Sequence, residues 1–152
     1  MTMPTSDDHA AQIAFSEDAT QWVRDGYTPD DAHVYPTPLH RMRLVCNWVD
    51  QGEREQSIID LGCGGGHLSI ALGRMGHKVT AYDRSPEMLE ICHAELETRF
   101  SDHGGRVIFR QADISKDMDL DGSVHDKLIS MGVIGYLDTD DLLFELGRRA
   151  LR

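Results

Sequence analysis

Apolar residues recur at intervals of three and four in the first part of the chain, which is the spacing of an amphipathic helix. One such stretch covers residues 10–23 in two pieces, and a second runs from Pro38 to Val49. A threonine in front of Pro38 supplies an N-cap, and the proline suits the first helical position. Between the two stretches, residues 25–36 are rich in turn-forming residues and predict a loop. The chain is therefore expected to open with a helical arm.

From residue 57 the pattern changes to short apolar runs that alternate with amphipathic helices. The helix after the first strand carries an apolar face that includes Met75, Ser85 caps the next helix, and residues 138–140 cap the last one. This alternation is typical of a parallel sheet that is covered on both faces, an α/β doubly wound architecture. The predicted strands are residues 57–61, 78–82 and 127–131, and residues 107–109 form the core of a further strand between the last two.

Composition narrows the class of protein further. The 152 residues suit one domain, and 40% hydrophobic with 27% charged residues is a globular composition rather than a disordered one. A net charge of −11 disfavours nucleic acid and anionic membrane surfaces as partners. The first residues lack the basic and apolar regions of a signal peptide, and three cysteines without CxxC spacing indicate reduced thiols rather than disulfides or zinc. A cytoplasmic protein is the expectation.

The most informative segment is the glycine-rich turn between the first strand and its helix, Asp60-Leu61-Gly62-Cys63-Gly64-Gly65-Gly66-His67. A dinucleotide fingerprint would place a third glycine where this chain has His67, and a P-loop would need a following Gly-Lys-Ser/Thr. The pattern that fits is acid-x-Gly-x-Gly-x-Gly, with a second acid, Asp83, at the end of the next strand. Glycines at such a turn let a ligand lie against main-chain amides.

On these residues the sequence resembles the class I S-adenosylmethionine-dependent methyltransferases, over about residues 37–151. Asp60-Leu61-Gly62-Cys63-Gly64 is similar to the first motif of that family, Tyr82-Asp83 to the second, and Gln111-Ala112-Asp113-Ile114 to the segment after strand three. The resemblance implies a Rossmann-like fold and S-adenosylmethionine as cofactor. It also implies that the glycine turn holds the methionine portion, Asp83 the ribose hydroxyls and Asp113 the adenine amino group.

Simpler roles for these acids remain open. Asp83 is suited to a vicinal diol because a carboxylate accepts two hydrogen bonds side by side, but a turn aspartate that caps the next helix is the alternative. Asp60 either contacts the cofactor, also through water, or satisfies amides of its own turn. Asp113 either binds adenine or is an exposed acid at a strand end, with Ile114 as an apolar wall in the first case.

Further candidates flank these motifs. Arg84 follows Asp83, and Met88 either covers the adenine face or belongs to the helix core. Residues 38–44 are similar to the helix before the first strand in quinone-type O-methyltransferases, in which an arginine reaches the methionine carboxylate; Arg43 is the candidate here, and a solvated helix face is the alternative. The sequence indicates no metal site, and it leaves the catalytic residues and any catalytic base unknown.

The sequence therefore predicts a methyltransferase that acts on a small-molecule acceptor. An NAD(P)-dependent oxidoreductase, with Arg84 near a 2′-phosphate, and a non-catalytic cofactor-binding or interaction fragment are the alternatives. We divide the chain into an N-terminal helical arm or lid, residues 1–36, and a cofactor-binding domain, residues 37–152. Relatives in this family continue past strand four, so the C-terminal part of the usual domain is expected to be missing and self-association through an open sheet edge is expected.

Overall fold

The computed structural model describes residues 19–27, 38–52, 54–99, 106–116, 120, 122–133, 137 and 141–151. Three predicted features lie outside these ranges: the helix at residues 10–18, the buried Phe100 at the end of the helix that Ser85 caps, and the capping residues 138–140. In chain order the elements are α1 (Ala19–Tyr27), α2 (Pro38–Asp50), β1 (Ser57–Leu61), α3 (His67–Arg74), β2 (Lys78–Asp83), α4 (Pro86–Arg99), β3 (Val107–Gln111), β4 (Lys127–Ile129) and α5 (Asp141–Ala150).

The four strands form one parallel sheet in the order β3-β2-β1-β4. In register, Ile59 of β1 lies beside Thr80 of β2 and Leu128 of β4. Neighbouring residues of β1 point to opposite faces, and Ile58 and Ile59 are both fully buried. The sheet is therefore covered on both faces, which confirms the predicted α/β doubly wound class.

Each face of the sheet has its own apolar core. On one face, Ile58 packs in a cluster with residues of α2, α3 and α4, including Val49, Leu72 and Cys92. On the other face, Ile59 packs in a cluster with Leu146 and further residues of α5. In the part of the chain that the structure describes, no helix is long and apolar enough to cross a membrane.

Helix α1 lies against the start of α4 and the glycine turn. Ala19 and Val23 pack in a small cluster with Met88 and Ile91 of α4. A Cβ added at Gly65 would lie 2.7 Å from Cγ2 of Val23, so this helix is in van der Waals contact with the turn. Helix α1 thus packs beside the carboxyl ends of the strands, where the predicted cofactor residues lie.

A polar network joins the start of β1 to the end of α5. It lies at the amino edge of the sheet, which is the side where the parallel strands begin. The Ser57 backbone N–H donates to Asp126 Oδ2 at 2.8 Å, and Arg54 pairs with Asp126 Oδ1 at 3.0 Å. Ser57 Oγ lies 3.0 Å from His125 Nδ1, and the His125 backbone N–H donates to the Ala150 carbonyl at 2.6 Å. Asp126 is therefore a carboxylate with a structural role at the amino edge.

Two predicted boundaries and one predicted burial were wrong. Helix α1 continues to Tyr27, where a loop was predicted, because its end packs on Pro38 of α2: a Cβ at Gly26 would lie 3.2 Å from that ring. Strand β4 ends at Ile129 rather than at residue 131, since its partner β1 bends away into the glycine turn. Met75, predicted on a buried face, is 39% exposed because it is the C-cap of α3.

Candidate functional site

After β1 the chain enters the glycine turn, whose backbone has a conformation that glycine adopts more readily than other residues. Gly62, Gly64 and Gly66 have φ angles of +72°, +53° and +76°, in the left-handed region. The backbone N–H groups of Gly62 and Cys63 both donate to the Tyr82 carbonyl, at 2.8 and 3.0 Å. These bonds tie the turn to β2. The three glycines at alternate positions of the sequence motif are the residues with a left-handed backbone.

Neighbouring side chains also pack closely on this turn. A Cβ at Gly66 would lie 2.8 Å from Cys92 Sγ and 2.9 Å from Phe109 Cζ, and a Cβ at Gly62 would overlap Val133. The Cys92 thiol donates to the Gly64 carbonyl at 3.0 Å. The turn is therefore held from α4, from β3 and from the loop after β4, which fixes its shape before any ligand arrives.

Asp83 lies at the carboxyl end of β2 and faces the turn. Its Oδ2 accepts the Gly64 backbone N–H at 2.8 Å, and its Oδ1 accepts the Ser85 backbone N–H at 3.0 Å. Ser85 Oγ in turn accepts the Met88 backbone N–H at 3.1 Å, so the predicted N-cap of α4 is confirmed. Each carboxylate oxygen of Asp83 keeps a lone pair for a further donor.

Asp60 is the most deeply buried acid of the site. It is 1% exposed, and Ser69 Oγ of α3 donates to its Oδ2 at 2.6 Å. Burial raises the pKa of Asp60 to about 6; the Ser69 hydrogen bond lowers it in part, and the charge of Asp83 raises it again. The last strand residues before the turn therefore hold a carboxyl group that changes its charge near neutral pH.

The Cys63 thiol lies inside the turn and stays protonated. Its hydrogen bond with Cys92 and its burial raise the pKa of Cys63 well above the usual value of a thiol. A neutral buried thiol is a weak nucleophile. His67 begins α3, and burial lowers its pKa, so its ring is neutral at physiological pH.

The segment after β3 contains the predicted adenine residues. Asp113 Oδ1 accepts the backbone N–H and the hydroxyl of Ser115 at 3.0 and 2.6 Å, and Asp113 Oδ2 pairs with Lys116 at 3.0 Å. Partial burial raises the pKa of Asp113, but these bonds outweigh burial and lower it overall. Ile114 is buried in the cluster of Ile59 and α5.

The three remaining candidates, Arg84, Met88 and Arg43, lie in different surroundings. Arg84 directly follows Asp83, and its carbonyl accepts Gln111 Nε2 at 3.2 Å. Met88 is 3% exposed, beneath α1. Arg43 is exposed on α2, whereas Nη1 of Arg41 on the same helix lies 3.8 Å from the Cβ position of Gly132, in the loop after β4.

Sequence reasoning missed three contributors to this site. Ser69, Val23 and Cys92 contact its residues, but none belongs to the glycine motif. Ser69 carried a signal, since a hydroxyl flanked by Leu68 and Ile70 on a short buried helix needs a polar partner. The contact of Val23 depends on how α1 packs, which no local pattern specifies.

Comparisons with known proteins decide the family of the chain. A family model described as a methyltransferase domain matches residues 58–152, more than half of the sequence. The chain belongs to this methyltransferase family. S-adenosylmethionine is the cofactor that this family uses, and the matched range contains the glycine turn, Asp83 and Asp113.

Curated relatives of this methyltransferase domain include ubiquinone biosynthesis O-methyltransferases. The protein of Stutzerimonas stutzeri is 33% identical over 92 residues, 59% of this chain and 37% of that protein. The protein of Xylella fastidiosa is 53% identical over 67 residues, 40% of this chain and 26% of that protein. The chain thus spans about 40% or less of the length of these relatives.

A solved structure shares the fold over nearly the whole methyltransferase chain. Magnesium protoporphyrin IX methyltransferase from Synechocystis PCC 6803, solved with bound S-adenosylmethionine, superposes with a TM-score of 0.73 and 20% identity. The match covers 99% of this chain and 76% of that one. This likeness independently supports the Rossmann-like fold.

Proposed function

We propose that this chain is the cofactor-binding part of an S-adenosylmethionine-dependent methyltransferase that acts on a small-molecule acceptor. The observation that carries the proposal is Asp83, held by two backbone N–H groups at 2.8 and 3.0 Å beside three left-handed glycines. Ligands of open α/β sheets bind outside the carboxyl ends of the strands, which is where these groups lie. When bound, the cofactor supplies a methyl group that its sulfonium has already activated.

The residues of this edge fit the cofactor. We assign Asp83 to the two ribose hydroxyls, because its oxygens keep lone pairs and are already oriented by backbone donors. The turn from Gly62 to Gly66, with Cys63 and Gly64, would hold the methionine portion against main-chain amides, with Asp60 behind it. Asp113 and Ile114 are assigned to adenine, where Asp113 would exchange a bond within its own turn for the amino group.

Three peripheral candidates complete the proposed site. Arg84 is expected beside the ribose, and Met88 would contact the adenine face only at the edge of the cluster it forms with α1. An arginine of α2 is expected to meet the methionine carboxylate. Arg43 is the sequence candidate, and the position of Arg41 near Gly132 makes it the second candidate. Separate alanine variants of the two arginines distinguish them by their effect on cofactor affinity.

The oxidoreductase alternative has no support from the structure or the relatives. His67, the first residue of α3, occupies the position of the third glycine of a dinucleotide fingerprint. The matched family and the two curated relatives are methyltransferases. The methyltransferase function is therefore the one that these observations support.

The small-molecule acceptor is proposed from the named relatives, ubiquinone biosynthesis O-methyltransferases and a magnesium protoporphyrin methyltransferase. The net charge of −11 argues against nucleic acid as the acceptor. A cytoplasmic location is part of the proposal, and the three free cysteines support it. Self-association through the edge of β4 is also proposed.

Isothermal titration with S-adenosylmethionine, S-adenosylhomocysteine and NADH, side by side, tests the proposed function. We expect both adenosyl compounds to bind and NADH not to bind. Binding of NADH alone would refute the methyltransferase function. Tight cofactor binding without methyl transfer to any acceptor of a quinol and phenol panel would instead identify the chain as a binding module.

A further inference from the structure

We propose that the buried carboxylate of Asp60 makes this site select the positively charged methyl donor over its neutral product, and that protonation of Asp60 removes the selection. The inference rests on the proposed function and concerns the same site. S-adenosylmethionine and S-adenosylhomocysteine share the adenosine, the ammonium and the carboxylate, and they differ by a methyl group and one positive charge. A residue can therefore discriminate between them by contact with the methyl group or by its response to the charge, and a buried carboxylate behind the turn responds to the charge.

The geometry makes Asp60 suited to that task. It is the second-last residue of β1, just before the glycine turn, is 1% exposed, and has its Oδ2 fixed by the Ser69 hydroxyl at 2.6 Å. A charge without water around it acts over longer distances than an exposed one, because the protein interior screens it less. Asp60 is thus a source of negative potential placed behind the turn that would hold the methionine portion.

The other ionisable groups around Asp60 do not offset this charge. Asp83 of β2 adds negative charge, and its two oxygens are already bonded to the Gly64 and Ser85 backbone. The Cys63 thiol in the turn remains neutral at physiological pH, since the Cys92 thiol of α4 and burial both raise its pKa. Among the described residues that the Asp60 carboxyl group interacts with, none carries a positive charge.

The burial that strengthens this charge also sets the pH at which it disappears. Burial, opposed by Ser69 and reinforced by Asp83, raises the pKa of Asp60 to about 6. A bound sulfonium favours the ionised form, so binding of the donor lowers the pKa of Asp60 and releases a fraction of a proton near pH 6. The product, a neutral thioether, would not gain this attraction, and the loss would favour exchange of product for donor.

The test is the ratio of the two dissociation constants, measured by titration calorimetry from about pH 4.5 to about pH 7. The ammonium of both compounds is largely protonated over this range, although the sulfonium lowers its pKa in the donor, so the ratio reports the transition of Asp60 near pH 6. We expect the preference for the donor to fall roughly three- to tenfold from high to low pH, the scale of one partly screened charge. Titrations near pH 6 in buffers of different ionisation enthalpy are expected to show more proton release for the donor than for the product.

Variants connect the effect to Asp60. Asp60→Asn keeps the shape and removes the charge, so the preference should become independent of pH and equal that of the wild type at low pH. Ser69→Ala keeps the charge and removes the hydrogen bond that lowers the pKa, so the transition should move to higher pH. Asp126→Asn, which changes a carboxylate at the amino edge, is the matched control and should leave the preference unchanged.

Two failures are distinguishable. If both compounds bind the wild type with a ratio that is constant over pH, and release equal numbers of protons, the role of Asp60 is overturned and the proposed function stands. If neither compound binds, the proposed function fails and this inference fails with it. The wild-type measurements decide between these outcomes even if Asp60→Asn does not fold.

Discussion

Asp60 shows the cost of placing an acid in the core of the sheet. Burial raises its pKa above the value that an unfolded chain has, so the folded protein binds more protons than the unfolded one between about pH 4 and about pH 6. Stability from this residue is therefore greatest below that window, falls as the pH rises through it, and stays low above it. Ser69 compensates only in part, through its hydrogen bond at 2.6 Å.

Asp60→Asn is therefore expected to stabilise the protein at neutral pH. At about pH 7.5 the free energy of unfolding should rise by about 1–3 kcal/mol, because the amide carries no buried charge and still accepts the Ser69 hydroxyl. At about pH 4 the difference should vanish. Urea denaturation of both proteins over this pH range measures the effect, and parallel stability profiles at every pH would show that the carboxylate carries no such cost.

At the scale of elements, the glycine turn depends on two separate properties of its residues. Gly66 has a left-handed backbone, and its missing side chain leaves room for Cys92 and Phe109 at 2.8 and 2.9 Å from the Cβ position. Gly76, after α3, has a φ of +98° with no atom within 4 Å of its Cβ position. A comparison of substitutions at Gly66 and Gly76 therefore separates the effect of left-handed backbone strain from the effect of crowding by neighbouring side chains.

Gly76→Ala should cost about 1 kcal/mol of stability, the price of a left-handed alanine. Gly66→Ala should cost about 2–4 kcal/mol, since it adds overlap with side chains of α4 and β3 to the same strain. Thermal or urea unfolding of the two variants measures the difference. Equal losses would mean that α4 and β3 yield to the new methyl group and that the turn is less tightly packed than described.

The elements of the sheet could be predicted because local patterns specify them. The strand at Ser57–Leu61 and the N-cap at Ser85 depend on apolar runs and capping chemistry that the sequence displays directly. The contact of α1 with the glycine turn and the position of Arg41 depend on tertiary packing, so the sequence did not reveal them. The place of Asp83 at the end of β2 could be predicted, but its two backbone donors required the fold.

At the scale of the whole molecule, β4 is an edge strand of the described sheet, with β1 as its neighbour. Exposed apolar side chains lie on nearby helices: Leu44 and Trp48 on α2 are 67% and 48% exposed, and Phe144 on α5 is 75% exposed. An edge strand beside such surface favours pairing with another chain, while the charge of −11 opposes it.

We therefore predict self-association that strengthens with salt. At micromolar concentration the chain should form dimers or larger species, and about 0.5 M salt should shift the distribution upwards by screening the repulsion between acidic surfaces. Sedimentation velocity at several concentrations and salt levels measures this. A monomer under all of these conditions, with a sharp and high melting transition, would contradict the prediction.

The central claim is that the carboxyl edge of the sheet holds the adenosyl cofactor through Asp83, and one titration tests it most directly. S-adenosylhomocysteine is titrated into the wild type, Asp83→Ala and, as control, Asp126→Ala. Asp126 is the matched control because its carboxylate, like that of Asp83, accepts a backbone N–H but lies at the amino edge. Asp83→Ala should weaken binding by about 2–3 kcal/mol, roughly 30- to 150-fold, with native circular dichroism, while Asp126→Ala should bind like the wild type. An unchanged dissociation constant for the folded Asp83→Ala variant would contradict the account.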